Sequence, residues 1–157
     1  MSANMSVTEF ETRDPDFAQR VRDSFAQQGA MHTVGASLTG IAAGRVVIEM
    51  EWGAHMTQQN GYVHGGILGV PMDSACGYAA MTLMPRDMGV LSIEYKINFL
   101  SPANGERFRF VGDVIKAGRT ITIAECQAFA LADSREKLVA KMVCTLMSVP
   151  DRGDGEA

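Results

Sequence analysis

Residues 66–83 are almost uninterruptedly small or apolar on every side of a helical projection. A helix with no polar face must be enclosed, so the pattern predicts a central helix wrapped by the rest of the chain. The wrapper follows it. Residues 90–100, 108–117, 120–132 and 138–149 are four β-rich runs, each about twice the usual strand length. Strands of that length span roughly 33 Å or more, against roughly 27 Å for an eighteen-residue helix, so they match a curved sheet rolled around it. Residues 117–120 carry a tight hairpin signal and residues 133–137 a looser one, which predicts that the last three strands are antiparallel neighbours. Upstream, Val46, Ile48 and Met50 alternate within residues 45–52, which pair with residues 36–42 across Ala43-Gly44. Asp14-Pro15 followed by Phe17, Val21 and Phe25 predicts an amphipathic helix ending near Gly29. Residues 55–63 form a polar loop before the central helix. Pro71 is the one discord, because it removes a backbone donor there; the helix either kinks or begins its regular part nearer Leu68.

A chain of 157 residues with 46% hydrophobic residues fits one domain with a sizeable core. Formal net charge is -4 and the 14 basic residues are scattered, which excludes the electrostatic footprint of a nucleic-acid binder. Asp73 inside the apolar stretch argues against a membrane span. The polar start lacks the features of an export signal, and Cys76, Cys126 and Cys144 sit in apolar surroundings as reduced core thiols, so a cytoplasmic location is expected. Residues 1–12 and 151–157 are expected to be loose ends.

The candidate chemistry lies at the start of the central helix. His64-Gly65-Gly66 lets another molecule approach the first-turn N–H groups, where the helix dipole favours developing negative charge. Asp73, the one carboxylate of that helix, is eight residues beyond Gly65, roughly 12 Å at about 1.5 Å per residue. One helix cannot bring both to one carbonyl. If the two cooperate, a two-fold axis must set the helix N-terminus of one subunit against Asp73 of another, giving a dimer with composite sites.

Gln58 to Val63 leading into His64-Gly65-Gly66, Asp73 nine residues later, Ser92, residues 97–103, Gly118-Arg119 and the closing residues 137–140 together resemble the hotdog-fold acyl-CoA thioesterases of the PaaI-like and 4-hydroxybenzoyl-CoA type. The resemblance spans roughly residues 36–149. It implies an α+β hotdog fold in one domain, a dimer or dimer of dimers, and hydrolysis of small-to-medium acyl-CoA or aryl-CoA thioesters. It further implies that the Gly65 N–H meets the thioester carbonyl and that the partner's Asp73 attacks it or activates water. Gln58 would position the water or the carboxylate, and Ser92 would hold the hydrolytic water. No metal or redox cofactor is implied; coenzyme A enters only as part of the substrate.

Each residue also has a plainer reading. Asp73 could serve a structural hydrogen bond, Gly65 and Gly66 could merely permit the turn, and His64 is favoured as a capping group over a proton carrier. Gln58 and Asn60 lie where a loop is polar in any case. Ser92 is placed on one strand face with Glu94, Lys96 and Asn98. Gly69, Asp73 and Gly77 form a stripe at steps of four that leaves room for an acyl group or packs on the sheet; some family members carry a hydroxyl residue where Gly77 stands. Lys116, Gly118 and Arg119 could meet nucleotide phosphates or form a solvated hairpin tip. Tyr78, Met81, Met84 and Phe99 would set the pocket depth. Two rival functions are a hotdog hydratase or dehydratase, which needs an acid/base pair on the acyl chain, and a non-catalytic acyl-CoA sensor.

Overall fold

The computed structural model describes residues 10–151. Its first element, α1 (Phe17–Gln27), starts two residues later than the Asp14-Pro15 signal places it: Asp16 is the N-cap, without a side-chain bond, and the Asp14 side chain instead closes the preceding turn by accepting from the Asp16 N–H at 3.0 Å. The apolar stripe buries Val21 against the core. Gly29 does not end the helical region, however. Gln28 turns to an extended conformation, and a second short helix, α2 (Gly29–Thr33), follows and buries Met31.

Two strands, β1 (Ala36–Ala42) and β2 (Arg45–Glu51), pair antiparallel around Ala43-Gly44, with Gly44 at φ 72°. Val46, Ile48 and Met50 all face inward and are buried. The loop that follows contains one 3₁₀ turn (Ala54–Met56) and closes on itself through a bridge between Thr57 and Val63. Helix α3 (Gly65–Met81) then runs continuously through Pro71, starting at Gly65 rather than near Leu68.

The remaining strands are β3 (Met88–Phe99), β4 (Arg107–Ala117), β5 (Ile121–Ala132) and β6 (Arg135–Pro150). The last three are antiparallel neighbours, as predicted. The second hairpin is tighter than the sequence suggested: Asp133 and Ser134 alone form the turn, both at positive φ, the backbone that fits two-residue hairpins, and β6 therefore starts at Arg135. The six strands form one antiparallel sheet in the order β1-β2-β4-β5-β6-β3. Strand β3 thus crosses to the far edge and pairs only with β6.

The sheet curls around α3, and side-chain size along β5 explains how closely. Its inward positions are Ala124, Cys126, Ala128 and Ala130, all buried and all small. On β4, Gly112 lies so near the helix that a Cβ there would come within 2.5 Å of the Ala75 backbone. Only glycine permits that approach. The helix is not enclosed on every side: Asp73, Ser74 and Gly77 are half-buried on one stripe that faces β3 and α1. At the ends, Phe10 packs against Gly44, and the Asp151 N–H donates to the Asp87 carbonyl at 2.9 Å. Ordered contacts therefore extend beyond the expected limits; residues 1–9 and 152–157 of those ends lie outside the described range. No helix among the described residues is long and apolar enough to cross a membrane.

Candidate active site

The turn into α3 is built by its own side chains. His64 is the N-cap, in extended conformation, and its Nδ1 accepts the Gly66 N–H at 2.9 Å. Accepting at Nδ1 leaves the ring proton on Nε2. The Ile67 and Leu68 amides both donate to the His64 carbonyl. Of the first-turn amides, Gly65 alone has no acceptor among the described residues. The capping reading of His64 is therefore the one the geometry supports, and the amide it leaves open belongs to Gly65.

Gly65 lines a cavity of about 610 Å³ with Gln58, His64, Leu68 and Phe99. The Phe99 ring lies directly over it, and a Cβ on Gly65 would come within 2.7 Å of that ring. Gln58 Oε1 accepts the Asn60 N–H, which fixes the turn and leaves the side-chain amide N–H groups without a partner among the described residues. Gln58, His64 and Gly65 are thus brought together. Asn60 is exposed and lies outside this cavity's lining, as does Gly66.

Asp73 lines a different cavity, of about 310 Å³, which includes Gly77 and Ser92. Ser92 Oγ donates to Asp73 Oδ1 at 2.7 Å, and the Cys144 thiol approaches the same oxygen at 3.7 Å. Oδ2 has no hydrogen-bond partner among the described residues. Cys144 is a neighbour that the sequence did not single out. Contact with the Cys126 thiol, with burial, pushes the Cys76 thiol up, and contact with Cys76, with burial, pushes Cys144 up. All three are free and buried. Held protonated, Cys144 can only donate toward Asp73.

The position of Ser92 corrects the expected strand face. The β3–β6 register shifts between Ser92 and Glu94, so Ser92 sits opposite buried Leu146 while Glu94 sits opposite Thr145. Ser92 faces the helix; Glu94, Lys96 and Asn98 lie on the outer face. The same bulge puts Tyr95 and Phe99 on the inner side, where the Tyr95 hydroxyl is 3.7 Å from a Cβ built on Gly69.

A Cβ on Gly77 would meet Val90 at 3.8 Å, an ordinary contact, so the glycine stripe both packs on β3 and opens the cavity. The β4–β5 hairpin carries exposed Lys116 and Arg119, and a Cβ on Gly118 would collide with the Ile121 carbonyl oxygen. This hairpin belongs to neither cavity. It stands at the Asp73 end of the sheet, since Ile121 and Leu91 both pair with Met147.

The family model of the thioesterase superfamily matches residues 60–136, a span holding His64, Gly65, Asp73 and Ser92. A solved thioesterase family protein from Silicibacter pomeroyi has 47% sequence identity and a TM-score of 0.85, over 86% of this chain and 99% of that one. The chain belongs to the thioesterase superfamily. Human acyl-coenzyme A thioesterase 13 is 28% identical over 110 residues, 68% of this chain and 72% of its own. The 1,4-dihydroxy-2-naphthoyl-CoA hydrolase of Listeria monocytogenes is 25% identical over 118 residues, 75% and 94% respectively. As a thioesterase with the hotdog fold, the protein hydrolyses a thioester. Thioester hydrolysis is helped by a hydrogen-bond donor for the carbonyl oxygen and by a base or nucleophile near the carbonyl carbon. In one chain, the unpartnered Gly65 amide and the Asp73 carboxylate lie in separate cavities.

Proposed function

We propose that this thioesterase hydrolyses small-to-medium acyl-CoA thioesters at sites shared between two subunits. The observation that carries the reading is the edge strand β3, which borders both cavities: Val90 to Ser92 lie beside Asp73, and Phe99 lies over Gly65. Leu91, Ile93, Tyr95 and Phe99 on that strand are 61%, 55%, 50% and 55% exposed. A twelve-residue apolar strand with one unpaired edge is a template for pairing. Two copies of it, pairing antiparallel about a two-fold axis near Tyr95, would set Leu91 opposite the partner's Phe99. That juxtaposes the Asp73 cavity with the cavity of the partner's Gly65. The outer sheet face, which exposes Ile115, Ile121 and Val143, offers a second apolar surface for joining two dimers.

In the composite site, the Gly65 N–H at the positive end of α3 receives the carbonyl oxygen as it becomes an oxyanion. The partner's Asp73, held by Ser92, presents its unpartnered Oδ2 to the carbonyl carbon or to a water. Attack by the water, or by Asp73 with water then hydrolysing the resulting acyl–aspartyl anhydride, breaks the C–S bond; the thiolate of coenzyme A takes a proton from that water, and a carboxylic acid and free Asp73 remain. Gln58, beside Gly65, offers its amide N–H groups to the water or the carbonyl. His64 keeps the turn in shape, and Asn60 and Gly66 border it. Lys116 and Arg119, on the hairpin shaped by Gly118, would meet nucleotide phosphates. Coenzyme A as leaving group is supported by the relatives named as acyl-coenzyme A thioesterase 13 and 1,4-dihydroxy-2-naphthoyl-CoA hydrolase.

The test is thiol release from a panel of alkanoyl-, phenylacetyl- and benzoyl-CoA. Asp73→Asn should lower kcat by about 100-fold or more while leaving the oligomer intact. A variant that turns over at the original rate would overturn the mechanism.

A further inference from the structure

Helix α1 lies outside the residues matched by the family model and is joined to α3 by one polar stripe. Arg20, Ser24 and Gln28 recur at steps of four, beside the apolar stripe of Phe17, Val21 and Phe25. The Arg20 guanidinium donates to the carbonyls of Met81, Met84 and Pro85 at 2.7, 3.2 and 2.8 Å, and pairs with buried Asp14 at 3.3 Å. These carbonyls lie at and just beyond the C-terminal end of α3, where a helix leaves its acceptors unpaired. Arg20 therefore clamps α1 in place.

The consequence falls on the Asp73 cavity, and it rests on the acyl-CoA thioesterase reading above. Ser24 Oγ lies 3.3 Å from the Tyr78 hydroxyl, and Ser74 Oγ donates to Gln28 Oε1 at 2.9 Å. All four residues line the cavity, whose other walls include Gly77, Met81, Val90 and Leu91. The Gln28 amide N–H groups have no acceptor among the described residues. We propose that Ser24 of α1 and Gln28, in the link from α1 to α2, are specificity-determining residues, which form the polar end wall of the acyl cavity and select acyl groups whose far end carries a hydrogen-bonding substituent. A plain hydrocarbon would strip water from these groups and return nothing; a terminal hydroxyl replaces the lost hydrogen bonds. The dimensions agree. Tyr78 lies five residues beyond Asp73, about 7.5 Å along the helix axis, and the cavity of about 310 Å³ exceeds the roughly 150 Å³ that takes benzene.

The experiment compares hexanoyl-CoA with 6-hydroxyhexanoyl-CoA. The unaltered protein should favour the hydroxylated member in kcat/KM. Ser24→Ala and Gln28→Leu should each cut that preference by about tenfold, the worth of one hydrogen bond, with a cooperative thermal unfolding transition reporting correct folding. A preference untouched by both substitutions overturns this inference alone, as does turnover of other acyl-CoAs but neither of these. Failure to release thiol from any acyl-CoA overturns the thioesterase reading and this inference with it.

Discussion

Ser92 donates a hydrogen bond to Asp73 across 2.7 Å, and it does so because β3 bulges one residue later. In a regular strand Ser92 would share a face with Glu94, Lys96 and Asn98 and point away from the helix. The extra residue, Ile93, reverses the alternation and aims Ser92 inward. One oxygen of Asp73 is thereby held and the other left open.

Removing that hydroxyl should misplace the carboxylate without unfolding the protein. Ser92→Ala is expected to lower kcat by about 10- to 100-fold, the usual worth of a hydrogen bond to a charged group. Ser92→Thr, which restores the donor, should recover part of the loss. Steady-state kinetics on one acyl-CoA checks both, and an unaffected kcat in Ser92→Ala would remove Ser92 from the mechanism.

Shared sites make a prediction that a site within one chain does not. Gly65→Ala drives a Cβ into the Phe99 ring and should inactivate, as should Asp73→Asn. A hybrid dimer of the two carries one doubly damaged site and one intact site. Co-expressed, differently tagged and purified as hybrids, the pair should regain about half of the activity per dimer. Hybrids as inactive as their parents would show that the two groups do not work together.

Gly112 tests how the helix meets the sheet. Its would-be Cβ lies 2.5 Å from backbone atoms of Ala75, which cannot swing aside as a side-chain tip can. Gly112→Ala should destabilise by about 1–3 kcal/mol, read as a lower denaturant midpoint. Gly77→Ala, with 3.8 Å to its nearest neighbour, should leave the midpoint nearly unchanged.

The thiol cluster sets an alkaline limit. Cys76 and Cys144 keep their protons in the fold at pH values where an unfolded chain releases them, near the ordinary value of 9.0. Their folded-state values lie above the unfolded ones, so the contribution is complete below about pH 9 and is lost as pH rises past it, by about 1.4 kcal/mol per unit per thiol. Urea unfolding at about pH 8 and about pH 10 measures the slope. The double variant Cys76→Ala, Cys144→Ala should flatten it, and an identical slope would show that these thiols do not carry the effect.

Much of this was legible along the chain. The strands β1 and β2 and the helix α3 fall within two residues of their predicted limits, because alternation and all-round apolarity are local properties of the sequence. His64-Gly65-Gly66 announced its turn for the same reason. The second helix escaped notice because Gly29, a usual terminator, here opens a new turn after Gln28. Cysteines at 76, 126 and 144 gave no sign of meeting, since their convergence depends on β5 and β6 passing over one spot of α3.

The sequence alone therefore determined most of the helices and strands and singled out candidates for the chemistry, since each of those choices is made by neighbours within a few positions. Tertiary structure decided that β3 takes the far edge beside β6, that a bulge turns Ser92 onto Asp73, and that Arg20 of α1 clamps the end of α3. These are contacts between residues 19 to 65 positions apart. Their geometry is set by how the sheet curls around the helix, and no local pattern of apolar and polar positions specifies that.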